Sequence, residues 1–178
     1  MAEPLRPLPA KVFTRENVIY VATIASATLA PTAAEANAAG SLDVTNMAFA
    51  DAAPSPEQNT NLVEQQRRLG DGGVYQFVGT TTYTGGQVTM QFNPQGAALA
   101  DDVKAWEKFA VGGVTGFLVV RLNVAKATTP AAGQFVDVYP CEFGPFMPTK
   151  SGEGEGAEGA MRGSWAITSV PKFKLAIL

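Results

Sequence analysis

Residues 80–92 read TTTYTGGQVTMQF, with Gly85 and Gly86 set between two runs of β-favouring residues. That is the short-range signature of a hairpin closed by a two-residue primed turn. The turn sets a register in which Tyr83 faces Val88, Thr81 faces Met90 and Gly79 faces Phe92. Alternate residues of a strand point to the same side, so Phe77 and Tyr75 join that face, and it is the predicted buried one. The other side carries Gln76, Thr80, Thr82, Thr84, Gln87, Thr89 and Gln91, all polar and none ionised. From Gly72 through Ala100 there is no Lys, Arg, Asp or Glu. Two readings stand: a solvated face rich in threonine for its β propensity, or a surface whose task excludes charge.

The 178 residues, 46% hydrophobic and 16% charged, suffice for one well-buried domain with long arms. A formal charge of -3 and a pI near 5.0 argue against tight nucleic-acid binding, which draws on clustered Lys and Arg. The basic cluster is confined to QQRR at 65–68. Histidine is absent and Cys141 is the single cysteine, which excludes His-dependent triads, Cys/His zinc sites and intrachain disulfides. Cys141 reads as a small buried hydrophobe, with a subunit contact as the alternative. VIYVATIASATLA at 18–30 superficially resembles an export signal. It is interrupted by Thr23, Ser26 and Thr28 and ends at Pro31, too short to span a membrane. Val18–Ile24 is therefore expected to be a strand, without membrane insertion.

MAEPLRPLPA at 1–10 contains three prolines and predicts an extended arm. Thr32 and Glu35 have the spacing of a capping box, and Gly40 can close the short helix they open. SLDVTNMAFA at 41–50 returns to extended chain. Residues 51–73 read as a long polar loop with at most a turn or two of helix at NLVEQQRR. Leu99, Val103, Trp106 and Ala110, with Phe109 beside them, predict an amphipathic helix from about Gln95 to Ala110. Asp101 and Asp102 near its start and Lys104 and Lys108 toward its end suit the helix dipole. VTGFLVVRLNVA then predicts a central strand, apolar on both faces, followed by strands at GQFVDVYPC, AMRGSWAIT and KFKLAIL. Trp165 and Ile167, and likewise Phe173, Leu175 and Ile177, alternate as buried positions should. Residues 142–160 include GEGEGAEG, expected to be a mobile acidic loop.

Catalytic constellations are weak. Asp101, Asp102 and Glu107 suit the solvated side of a helix better than a glycosidase pair. Glu153, Glu155 and Glu158 lack the spacing of a calcium loop. There is no Walker loop, no dinucleotide fingerprint and no base beside Ser164. The expectation is a protein without enzymatic activity, cofactor or metal.

KVF at 11–13 followed by APTAAEANAAGSLDV at 30–44 resembles the major tail tube proteins of long-tailed, non-contractile bacteriophages. In many of them a short apolar strand runs into Pro-Thr-x-x-Glu-x-Asn-x-x-Gly, here Pro31, Thr32, Glu35, Asn37 and Gly40. The order of elements continues the resemblance over essentially the whole chain. It implies a mainly β protein, a β-sandwich or half-barrel with one flanking α-helix, forming a single domain over 1–178. It also implies hexameric rings stacked into a tube that conducts DNA, in a virion tail assembled in the host cytoplasm. Tape measure and tail terminator or tip proteins would be partners, and no catalytic residue carries over. Since the chain ends at Leu178 on a strand, no additional C-terminal domain is expected. Contacts between subunits are expected from the arm with Pro4 and Pro7, the long loop with Arg67 and Arg68, and the Gly/Glu loop with Glu153 and Glu155. A conduit must not grip DNA, because wall cations would engage phosphate. The uncharged Thr/Gln face is accordingly expected to line the lumen. Two other readings remain: a capsid decoration or head-tail connector β-sandwich, and a small-ligand β-barrel with Tyr75, Phe77, Trp106 and Trp165 around its pocket.

Overall fold

The computed structural model describes residues 15–70, 72–96 and 100–178. Its elements are β1 (Glu16–Val21), α1 (Ala33–Ala36), β2 (Leu42–Asp43), β3 (Glu57–Glu64), β4 (Gln76–Thr84), β5 (Gly86–Gln91), α2 (Asp101–Phe109), β6 (Val114–Leu122), β7 (Phe135–Phe143), β8 (Met147–Lys150), β9 (Gly159–Ile167) and β10 (Lys172–Ala176). The strand that is apolar on both faces, β6, is central as expected, with β1 antiparallel on one side and β7 on the other. The main sheet runs β2-β1-β6-β7-β9-β5, with β10 on β7 and β8 on β9.

This sheet curls into a half-barrel, and residues 44–52 bridge its gap. Val44 N–H donates to the Val18 carbonyl at one border, while Gln91 N–H donates to Met47 O and Phe49 N–H to Thr89 O at the other. Both sheet edges thus find backbone partners. Inside, Tyr20, Leu118, Val88, Met90, Met161, Phe143 and Trp165 form the main core. Helix α2 lids it: Phe109 meets Tyr20 edge-on at 5.2 Å and Phe143 at 4.6 Å, and Trp106 stacks on Phe92 at 4.7 Å. A smaller core on the opposite face joins Ile19, Val21, Val119, Val136, Val138 and Ile177.

The capping box forms as read. Glu35 N–H donates to Thr32 Oγ1 at 3.1 Å, and the Glu35 carboxylate accepts from the backbone N–H of Thr32 and of Ala25, both at 2.7 Å. These bonds hold the Glu35 carboxyl below the ordinary carboxylate range. Its contribution to stability is therefore present above the unfolded carboxyl's pKa and fades as pH falls through the lower folded value. Thr32→Ala is expected to cost about 1 kcal/mol in urea unfolding at neutral pH, and Glu35→Gln should flatten the acid limb of stability against pH.

Several expectations are corrected. The hairpin at Gly85–Gly86 does not form. β4 pairs with β3 in a separate two-stranded sheet, and β5 pairs with β9 in the main sheet. Val88, Met90 and Phe92 are buried, but Tyr75 and Phe77 are exposed. The segment 51–73 is not a loop, because β3 occupies its middle and NLVE is strand. The Gly/Glu region, read as a loop over 142–160, contains the end of β7, β8 paired with β9, and the start of β9, so that it is irregular at 144–146 and 151–158. Helix α1 ends on Asn37 rather than at Gly40. Strand β1 ends at Val21 rather than Ile24, and SLDVTNMAFA is strand only at Leu42–Asp43, with an isolated bridge at Ala48. Helix α2 begins at Asp101. The expectations for the proline arm, with Pro4 and Pro7, and for Leu99 lie outside the described residues.

Candidate assembly surface

The β3–β4 ribbon projects from the body. Glu57 and Thr84 face each other at its root, and Glu64 and Gln76 at its far end. Near the root it is polar, with Thr60 and Thr81 hydroxyls 3.1 Å apart and the Thr82 hydroxyl donating to Asn59 O at 3.3 Å. A register shift between Thr60 and Leu62 separates this half from an apolar one, where Leu62 faces Val78 and Val63 faces Phe77. Phe77 is 56% exposed and Val78 75%. Among the described residues each strand pairs only with the other. A lone two-stranded ribbon is marginal in water, and open edges invite further pairing.

At the root the chain passes from one sheet to the other through Gly85. A Cβ there would collide with the carbonyl of Trp165, and Ala166 Cα would lie 3.1 Å away. The glycine pair that resembles a turn is instead a close crossing against β9.

The Thr/Gln set is divided by this crossing. Gln76, Thr80, Thr82 and Thr84 are exposed on the ribbon, and Gln87 and Gln91 are exposed on the main sheet. Thr89 departs from the set: it is 4% exposed and its hydroxyl accepts from Arg162 Nε at 3.3 Å. Arg162 faces Thr89 across the β5–β9 ladder, while β3 brings Glu57 and Glu64 beside the ribbon's polar residues. Sequence reasoning missed these three charged groups, since they arrive through pairing with distant strands. Of the residues expected at subunit contacts, Arg67 and Arg68 are exposed in the β3–β4 connection and Glu153 and Glu155 in the β8–β9 connection.

A second apolar surface lies at one end of the half-barrel. Along β6 the inward face runs from buried Leu118 and Val120 to Leu122, 41% exposed; on β7 it runs from Cys141 and Tyr139 through half-buried Asp137, opposite Val120, to Phe135, 57% exposed. Leu122, Phe135 and Lys174 line one shallow groove. Lys174 Nζ lies 5.6 Å from the centre of the Phe135 ring, and Phe173 packs edge-on against Tyr139 at 5.9 Å.

The remaining polar groups have structural duties. Asp102 accepts from Asn93 N–H at 2.8 Å and Asp101 pairs with Lys104 at 3.5 Å, so both serve the start of α2. Buried Arg121 donates to Gln134 Oε1 and Thr128 O, tying down the β6–β7 connection, and desolvation lowers its pKa. Burial pushes the Cys141 thiol up to about 12. Tyr75 and Phe77 sit out on the ribbon whereas Trp165 is buried in the core, so the four aromatics of the ligand-barrel reading do not surround one pocket. Among the described residues no helix is long and apolar enough to cross a membrane.

A chain that projects an unpaired ribbon with an apolar end belongs to the class of structural subunits completed by neighbours. Over residues 11–175 it matches the family of phage tail tube proteins, and it belongs to that family. It is thus a structural component of a phage tail. No curated protein matches it. Among solved structures it is similar to a chain from the tail of an empty GTA particle with C6 symmetry, at 10% identity and a TM-score of 0.49, covering 89% of this chain and 95% of that one.

Proposed function

We propose that the protein assembles into six-membered rings that stack into the tail tube, with the exposed Thr80, Thr82, Thr84, Gln87 and Gln91 facing the lumen. The observation that carries the reading is the ribbon: among the described residues of this family member it has strand edges without a further partner and an exposed apolar end, which assembly would cover. The role is structural rather than catalytic, and tape measure and tail terminator or tip proteins are the further partners. DNA passes along the wall without specific contacts. Glu57 at the ribbon's root favours this, since fixed negative charge repels phosphate. Arg162, exposed and opposite Thr89 on the Gln87 and Gln91 face, remains a cation there, since the bond from its Nε to a neutral hydroxyl removes no charge.

Negative-stain electron microscopy of the concentrated protein is expected to show tubes of stacked rings with an axial pore. Closed oligomers that never stack would favour a decoration or connector role instead. Thr82→Lys with Gln87→Lys is expected to leave assembly intact and slow DNA ejection from the virion, because each wall cation would engage phosphate. Ejection at the unmodified rate would remove these residues from the lumen.

A further inference from the structure

Large exposed hydrophobic side chains gather mainly in two places, the far half of the ribbon with its 65–75 connection, and the open end of the half-barrel. Neither satisfies the other within one chain. The ribbon's root crosses β9 at Gly85, and beyond that point, among the described residues, its strands pair only with each other. Nine residues of β4 reach about 30 Å at the ordinary strand rise, ample to meet another subunit. At the open end the inward face of β6 continues past its covered residues to Leu122, and that of β7 passes half-buried Asp137, opposite Val120, before reaching Phe135.

We infer that the apolar half of the ribbon seats on the open barrel end of a second copy, with Leu62 and Val78, which share one face of the ribbon, covering Leu122, Phe135 and Phe173. One charged contact bears on the pairing: Glu64 stands at the ribbon's apolar end, on the Leu62 and Val78 face, and Lys174 lines the receiving groove together with Asp137. The Lys174 backbone is pinned by its N–H bond to Asp137 Oδ1 at 2.8 Å, and the residue adopts φ 53° at the β10 irregularity. The contact joins unlike surfaces, so each copy offers one and receives one, the arrangement that propagates into rings or filaments. The inference rests on the self-assembly proposed above and names the acceptor surface for it.

The test is thiol cross-linking with a short bis-maleimide, under conditions in which the unmodified protein forms tubes. Cys141, buried and with its thiol pKa pushed up to about 12, stays unreactive. The double variant Val78→Cys with Phe135→Cys is expected to give a ladder of covalent multimers in denaturing gels. Val78→Cys with Met147→Cys, which probes the exposed β8 edge, is expected to give none. A ladder from the second pair, or from neither while tubes are present, overturns the contact and leaves the tube reading standing. An unmodified chain that stays monomeric at every concentration overturns both. Separately, Glu64→Lys should raise the concentration needed for assembly about tenfold, and adding Lys174→Glu should restore it. Failure of that rescue also counts against the contact.

Discussion

Gly85→Val is expected to destabilise the protein by on the order of 3 kcal/mol or more, because the new side chain would meet only backbone. The atoms in its way are the carbonyl of Trp165 and the Cα of Ala166, which cannot rotate aside as a side chain can. Relief requires β5 to pull away from β9, where Gly86 pairs with Trp165, and that lifts a buried indole from the core. The adjacent glycine supplies the control. A Cβ at Gly86 meets nothing within 4 Å, so Gly86→Val should stay within about 0.5 kcal/mol of the unmodified chain. Urea denaturation followed by tryptophan fluorescence measures both, and equal losses would mean that the crossing is not tight.

The second large effect separates folding from assembly. Phe77→Asp with Val78→Asp is expected to leave the isolated subunit as stable as before, since both side chains already face water. Tubes should nevertheless disappear. Forcing carboxylates into an apolar contact costs several kcal/mol, and at about 1.4 kcal/mol per tenfold the concentration required rises by at least roughly a thousandfold. Sedimentation velocity should find a folded monomer at concentrations where the unmodified chain forms tubes. Tubes of normal appearance would place the ribbon outside the interfaces.

Local signals were legible where local chemistry decides. The Thr32–Glu35 box, the apolar run of β6, and the helical stripe through Val103, Trp106 and Phe109 each formed an element close to where the residues predict one. The alternation at Val88, Met90 and Phe92 also marked the buried side correctly. Illegible was the partner of each strand. Alternation records which side of a strand is buried and nothing about what lies along its edge. Glu57–Glu64 has no apolar alternation because both its faces are open, so it passes for a loop.

The sequence by itself determined a mainly β chain, the lack of histidine and the single cysteine, a long segment without charge and the motif by which the chain resembles tail tube proteins. These follow from composition and from short-range patterns carried within each segment. Only the tertiary structure decided that Gly85 marks a change of sheet instead of a turn, that Glu57, Glu64 and Arg162 border the uncharged residues, and that Thr89 is covered. The physical reason is that backbone pairing is non-local. A strand's hydrogen bonds are satisfied equally well by any edge of matching length, and the choice is made by packing between residues far apart in the chain.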